Sequence, residues 1–363
     1  MKVAKIFFQH FRLFEQQEVT LNDVTLLVGD NGSGKTSVIE GLYLLSHGES
    51  FRAYKIDEMI AFNQELARVG ISLVEEIEEN KSASSSKTDI LEVTLTRGLV
   101  QGSRTRKRLF SINGAGKSQK NFVGEFQAIV FQPEDMRLVE GSPGRRRSFI
   151  DEVLQLTNPE YAYSLHTYEQ ALKRLNKFLE QVREREQPRS VLKYWEMLLV
   201  KHGKILQTDR LEFFEFLRRL DSPFSFDVRY LISEISEKAL DSRQEKAIAA
   251  GHVLIGPHKD DFEILFAGEN LDNRELSIYG SRGQQRLGVL WLKLGELRFL
   301  EKIKKQKPLL LLDDIFSELD EASENLVLEL VGKYQTVITT ANENTKEFLK
   351  QKLKKLTIKK MKN

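Results

Sequence analysis

No cysteine occurs anywhere in the 363 residues. Disulfides, thiolate metal sites and cysteine nucleophiles are thereby excluded, and the chain suits a reducing compartment. Runs of 18 apolar residues are also missing, so neither a membrane span nor a membrane partner is expected. The stretch from Met1 to Arg12 is too interrupted for the apolar core of a signal peptide, which makes the expected location cytoplasmic. Charge of one sign is scarce: 55 basic against 53 acidic residues leave a net charge of +2, so a nucleic-acid surface has to arise by local clustering. Ligand-spaced histidines, a Ser/His/Asp arrangement, a zinc finger, a helix-turn-helix and RNP-like motifs are all lacking. Any contact with nucleic acid is therefore expected to follow backbone and shape, without sequence preference. Long heptad arrays are absent too, which excludes an extended coiled-coil arm.

What the chain does contain begins at Gly29-Asp30-Asn31-Gly32-Ser33-Gly34-Lys35-Thr36. It follows the apolar run Val24–Val28 and opens into a helical pattern from Ser37 to Leu45. Strand, glycine loop and helix in this order, with GxxxxGK[ST] spacing, make a Walker A P-loop. Its backbone N–H groups can turn inward on phosphate oxygens, and the helix N-terminus adds a partial positive charge there. Lys35 is placed to neutralise β/γ-phosphates and the Thr36 hydroxyl to meet Mg²⁺. The expected ligand is ATP with Mg²⁺, cradled by residues 29 to 37.

Leu309–Leu312 followed by Asp313-Asp314 has the form of a Walker B strand, expected to lie beside the P-loop strand. Asp313 is assigned to the metal, and Asp314 to positioning or polarising the attacking water. Ser281-Arg282-Gly283-Gln284 precedes a helical run, with Ser281 as its expected N-cap. The stretch 75–89 is polar enough to be a solvated hairpin tip or a short disordered loop, and Asn113-Gly114 marks a second hairpin. Between about residues 142 and 217 the apolar spacing turns helical, with a break at Pro188, and predicts two antiparallel helices. His258, within Gly256-Pro257-His258-Lys259-Asp260-Asp261, is expected in a structural turn with solvent-facing charges, not at a metal or acid–base site.

Arg104, Arg106, Lys107, Arg108, Lys117 and Lys120 cluster without acidic neighbours, a density that attracts phosphate. On one hairpin, alternate basic residues could track a DNA backbone; the other reading is a solvated face. Arg145-Arg146-Arg147 and the lysine-rich tail from Lys346 are secondary candidates, the tail also reading as a disordered end. Arg12 and Arg52 read either as phosphate or partner contacts or as ordinary surface charge.

The order P-loop, Ser281–Gln284, Asp313-Asp314 and Ser317-Glu318-Leu319-Asp320 resembles the ABC-type ATPases, the second and last elements resembling their signature and D-loops. More closely the chain resembles the RecF family of bacterial recombination mediators. The resemblance rests on Phe11-Arg12, Ser50-Phe51-Arg52, Phe131-Gln132-Pro133-Glu134-Asp135, Gly141-Ser142-Pro143, Arg145–Asp151 and Gly256–Asp261. It implies an α/β fold: an ABC-type P-loop ATPase head (lobe I, mixed β-sheets with helices) with an inserted, mostly helical lobe II. The implied division is 1–135 and 285–363 for the head and 136–284 for the insert. It further implies an ATP-dependent homodimer, Ser281 of one copy facing the γ-phosphate held by Lys35 of the other. Also implied are a grip on duplex DNA near single-strand/duplex junctions, and cooperation with RecO and RecR in loading RecA. Gln132 falls where ABC enzymes place a metal-contacting glutamine. A transporter-like switch histidine is replaced by Thr339-Thr340-Ala341-Asn342, which points to slow turnover. The competing expectation is a nucleotide-binding subunit of another ABC-type complex.

Overall fold

The computed structural model describes residues 1–74, 88–220, 225–268, 271–317 and 319–361. The chain divides into two compact units: one joins Met1–Asp135 to Leu300–Asn363, and the other, Met136–Phe299, is inserted between those two parts.

The first unit is built on two sheets. A parallel sheet of five strands has the order Ala128–Phe131, Leu309–Asp313, Thr336–Thr340, Val24–Val28, Leu356–Lys360. Its central strands are buried along their whole length, as continuous apolar runs of a sheet covered on both faces should be. Because the pairing is parallel, with Phe131 opposite Leu312, Asp313 opposite Thr339 and Thr340 opposite Val28, the carboxyl ends of these strands meet on one edge. Gln132, Asp313, Asp314 and the P-loop all emerge at that edge.

The second sheet has six strands and is antiparallel, starting with Lys2–Phe11 and Phe14–Thr20. In the first strand Val3, Ile6, Phe8 and Phe11 point into the core. The odd step from Val3 to Ile6 breaks strict alternation and is accommodated by a register shift between Val3 and Lys5. The helix Lys35–His47 packs against strands of both sheets, and Val38, Ile39 and Leu42 join Phe8, Val69, Leu311 and Val337 in one core. The expected hairpin is present: Ile112 pairs with Ala115 across Asn113 and Gly114, whose φ angles of +52° and +77° suit a type I′ turn. The strands flanking the polar stretch, Leu66–Val74 and Thr88–Thr96, pair from Leu66–Thr96 to Val74–Thr88. The proposed hairpin tip itself lies outside the described residues.

Two sequence expectations change here. The Asp313 strand does not lie beside the P-loop strand; Thr336–Thr340 runs between them. The described part of the lysine-rich tail is ordered: Glu343–Lys352 is a helix, and Leu356–Lys360 is an edge strand paired in parallel with Val24–Val28. Leu356, Thr357 and Ile358 supply β-forming side chains between the lysines, which outweighs the charge.

In the second unit, Pro143–Thr157, Pro159–Arg183 and Leu192–Arg218 are the main helices. Early residues of the second meet late residues of the third, as in Tyr161 with Arg210, and Phe178 stacks on Trp195 at the other end, so the pair is antiparallel. A three-stranded antiparallel sheet, Phe226–Leu231, Asp261–Gly268 and Leu271–Glu275, completes the unit. The helix Arg282–Lys304 starts in this unit and ends in the first. The division falls inside that helix rather than at Gln284, because Val289, Trp291 and Leu292 belong to the helical core and Phe299 packs against it.

Candidate nucleotide site and nucleic-acid surface

Gly34 ends the phosphate loop at φ +90°, a left-handed conformation that disfavours a side chain, and a Cβ there would lie 2.5 Å from the Phe14 ring. Glycine is required on both counts. The first N–H groups of the following helix have no intrahelical acceptor and face the loop. Lys35 is almost wholly buried; its Nζ donates to the carbonyls of Gly29 at 2.7 Å and Asp30 at 2.8 Å, which draws the ammonium over the loop. Ser33 is 2% exposed, yet its Oγ has no hydrogen-bond partner. An unpaired buried hydroxyl is costly in a finished fold, and phosphate oxygens would supply the partner.

Thr36 donates from Oγ1 to Asp313 Oδ1 at 3.2 Å, and Thr339 donates to the same oxygen at 2.6 Å. The intervening strand thus carries the second contact to Asp313 and bridges the gap between the loop and the Asp313 strand. Burial raises the Asp313 carboxyl above its usual range; the two threonine bonds partly oppose this, and Asp314 and Glu134 add to it. A desolvated carboxylate with acidic neighbours suits a hard cation. Among the described residues no three His, Cys, Asp or Glu side chains converge on a metal position. The oxygens of Asp313 and Thr36 would fit a Mg²⁺ ion whose remaining positions are completed by water and substrate phosphates.

Asp314 takes a left-handed φ of +53°, which aspartate tolerates better than most residues, and its N–H bonds Thr339 Oγ1 at 3.1 Å. Gln132 directly follows the strand next to Asp313, and its N–H bonds Asp135 Oδ2 at 2.9 Å. Asp320 caps the helix Glu321–Val331 by accepting from Ser323 N–H at 2.9 Å. In the second unit, Ser281 is exposed and caps its helix reciprocally: Oγ accepts from Gln284 N–H at 3.3 Å, and Ser281 N–H donates to Gln284 Oε1 at 2.8 Å. Arg282 pairs with Glu140. Thr339 was the residue sequence reading passed over as a ligand partner; only its place on a buried parallel strand pointed to it.

The basic cluster does not lie on a single hairpin. Ser103–Arg104 pairs with Leu99–Val100, whereas Arg108–Ile112 pairs with Ala115–Lys117. Arg108 donates to Gly48 O at 2.8 Å and meets Glu49 at 3.0 Å, and Lys107 lies 3.6 Å from Asp57. Together with Arg106 and Lys117 they line an open cleft of about 680 Å³ in the first unit. Arg12 is not a surface charge: it grips the buried Glu40 through two bonds of 2.8 and 2.6 Å and donates to Glu58 O at 2.7 Å.

The motif around His258 is a structural turn, as expected, with Pro257–Lys259 as one 3-10 turn and Lys259 exposed, but its other charges are not solvent-facing. Asp260 is fully buried and accepts from Gln207 Nε2 at 3.0 Å, Arg210 at 3.0 Å, Ser233 N–H at 2.8 Å and the Tyr230 hydroxyl. Arg210, itself 2% exposed, also bonds Asp151 at 2.8 Å and Pro257 O at 2.8 Å. Burial works against the charge of Arg210, but Asp151 and its other partners hold its pKa well above the usual value. His258 shares a 2.7 Å bond with Tyr168, and burial pushes it down to about 4, so it is neutral at pH 7. Arg146 forks onto Asp261 at 2.6 and 2.8 Å and Arg147 donates to Asp260 O at 2.8 Å, which leaves Arg145 as the exposed member of that triplet. Apart from the exposed Lys259, these charges are held by partners within the helical unit because the motif is a junction of it.

The RecF/RecN/SMC N terminal domain family matches residues 2–363. The DNA replication and repair protein RecF of Thermoanaerobacter pseudethanolicus is 30% identical, the match covering 96% of each chain. The protein of that name from Oceanobacillus iheyensis is 28% identical over 94% of each. Among solved structures, that of the recombination mediator protein RecF-ATPrS in the RecFOR pathway is similar with a TM-score of 0.82 and 26% identity, covering 94% of this chain and 92% of that one. The RecF-ATP structure gives 0.79 with the same coverage. The α/β class with an ATPase-type sheet and an inserted helical unit, expected from the sequence, is thus the architecture found. With a match from residue 2 to residue 363 and relatives aligned along almost their entire lengths, the chain belongs to the RecF family.

Proposed function

We propose that this chain is an ATP-binding and ATP-hydrolysing DNA-binding protein of DNA repair, recombination and replication, in which the nucleotide acts as a switch. The observation that carries this reading is the convergence of Lys35, Thr36 and Asp313 at one sheet edge, beside the unpartnered Ser33 hydroxyl. The names of the relatives and their ATP-bound structures support it.

On this reading residues 29 to 37 hold the triphosphate, Lys35 neutralises its β/γ-oxygens, and Thr36 and Asp313 hold Mg²⁺, with Gln132 at the adjoining strand end. Mg²⁺ would supply charge neutralisation on the phosphates. Asp314 orients the attacking water, and its carboxylate is placed by a backbone held in an uncommon conformation. The exposed Ser281, at a helix N-terminus, completes the site of a second copy, so ATP joins two chains and hydrolysis separates them. Turnover is slow on this reading, since Thr339-Thr340-Ala341-Asn342 stands where transporter-type ATPases carry a switch histidine. The joined pair clamps duplex DNA near single-strand gaps and works with RecO and RecR to load RecA.

Light scattering with ATP and Mg²⁺ is expected to show twice the mass found without them, and Lys35→Arg is expected to keep the pair while blocking its hydrolysis. One unchanged mass overturns the clamp. Affinity for duplex DNA should fall steeply with salt, as counterion release from phosphates requires; indifference to salt removes the phosphate-contact reading.

A further inference from the structure

We propose that the segment 49–64 carries a stacking site for unpaired nucleobases, formed by Tyr54 and Phe62 beside the cation-lined cleft. It deepens the DNA-binding reading above and rests on it. Tyr54 is 95% and Phe62 92% exposed, whereas the next most exposed large apolar side chain among the described residues, Ile278, is at 66%. A lone exposed ring is ordinary on a protein surface. Two on one short segment, both held out by a braced backbone, are not.

The segment is braced along its length, at Ser50 onto the buried Glu40. Ser50 Oγ donates to the buried Glu40 at 2.6 Å and accepts from the N–H groups of Arg52 and Ala53 at 2.9 and 2.8 Å. Tyr54 N–H bonds Glu58 Oε2 at 3.0 Å, Arg12 holds Glu58 O at 2.7 Å, and Ala61 N–H bonds His10 O at 2.8 Å. Arg97 closes the far end on Gln64 O at 2.9 Å. The rings are therefore presented in advance of any ligand, which lowers the ordering cost of binding.

Charge decides the ligand. Ile56, two residues from Tyr54, lines the cleft with Arg106, Lys107, Arg108 and Lys117. Asp57 pairs with Lys107 at 3.6 Å and Glu49 with Arg108 at 3.0 Å, so the remaining positive charge of the cleft comes from Arg106 and Lys117, while Glu58 accepts from Tyr54 N–H at 3.0 Å. Aromatic rings alternating with cations form the platform that single strands use, bases on the rings and phosphates on the cations. A duplex keeps its base faces inside the stack and offers the rings nothing. A protein partner would call for a contiguous apolar patch, whereas the sequence neighbours of these two rings include Arg52, Lys55 and Asn63.

The test is fluorescence anisotropy of the full chain on an oligo-dT strand and on a blunt duplex of equal length, with ATP binding as the check on folding. Tyr54→Ala with Phe62→Ala is expected to weaken the strand by about tenfold or more. Duplex affinity should stay within about threefold, and Tyr54→Phe with Phe62→Tyr should restore strand binding. Equal losses on both DNAs, or none, overturn the stacking site while the DNA-binding reading stands; a parent chain that binds neither DNA overturns both. Should the alanine pair lose ATP binding, a photoreactive benzoylphenylalanine at position 62 decides. Cross-linking to the strand upholds the site, and cross-linking to polypeptide alone overturns it.

Discussion

The edge of the parallel sheet and the Arg210 junction both bury charge, but they do so in opposite ways. At the junction the chain supplies its own partners: Asp260 collects four donors, and Arg210 spends its guanidinium on Asp151, Asp260, Pro257 O and Tyr161. At the sheet edge it stops short, with Ser33 Oγ unpartnered, the Asp313 carboxyl raised by burial and Asp314 in a left-handed conformation. A polar cluster that the chain completes by itself holds a fold together. One left incomplete marks the place of something the chain does not encode.

If that contrast is right, the two places must respond differently to substitution. Arg210→Met should cost about 3–5 kcal/mol, because it strands the buried carboxylate of Asp260 and the half-buried one of Asp151. Both tryptophans, Trp195 and Trp291, lie in the helical unit, so their fluorescence in a denaturant titration reports this loss directly. A cost below about 1 kcal/mol, the ordinary effect of a point change, would break the comparison. Asp314→Asn should lower ATP turnover by on the order of 10²-fold or more, the usual contribution of a positioned base, with nucleotide binding and tryptophan-monitored unfolding unchanged.

Next in size are two pH slopes of opposite sign. The raised Asp313 pKa means that the native state binds the extra proton, so stability from this group is lost as pH rises from 3.8 through the folded value. Asp313→Asn should therefore stabilise the nucleotide-free protein at neutral pH, by up to about 1 kcal/mol, while losing Mg²⁺-dependent nucleotide binding. His258, lowered from 6.5 to about 4, makes the native state bind fewer protons, so stability falls as pH drops through that window. His258→Gln should flatten this acid limb in melts at pH 7, 6 and 5. The smallest effect belongs to Ser33→Ala: stability within about 0.5 kcal/mol of the parent, and ATP affinity lower by about fivefold, the worth of one hydrogen bond.

The P-loop and the strand ending in Asp313 were legible because each combines a local pattern with a buried strand, and both patterns survive without tertiary knowledge. The order of strands was not, since the slot occupied by Thr336–Thr340 is set by pairing between segments far apart in the chain. The charges of Arg146, Arg147 and Asp260 read as solvent-facing because sequence shows the charge but not its partner, and those partners come from Tyr230, Gln207 and Asp261 on other elements. The lysine tail misled for a similar reason: composition outweighed the β-forming Leu356, Thr357 and Ile358. The exposed Tyr54 and Phe62 carried no signal at all, because an aromatic side chain in a sequence reads as core.

The edge strand Leu356–Lys360 has a consequence in time. It pairs with the P-loop strand, and Met361 N–H bonds Val28 O at 2.8 Å, the residue before the phosphate loop begins. During synthesis Val24–Val28 leaves the ribosome early, yet its neighbours on both sides, Thr336–Thr340 and Leu356–Lys360, emerge only after the whole helical unit. That unit is contiguous and can fold while the strand waits. The phosphate loop therefore closes among the last events of folding, and an apolar strand stays unpaired for most of translation.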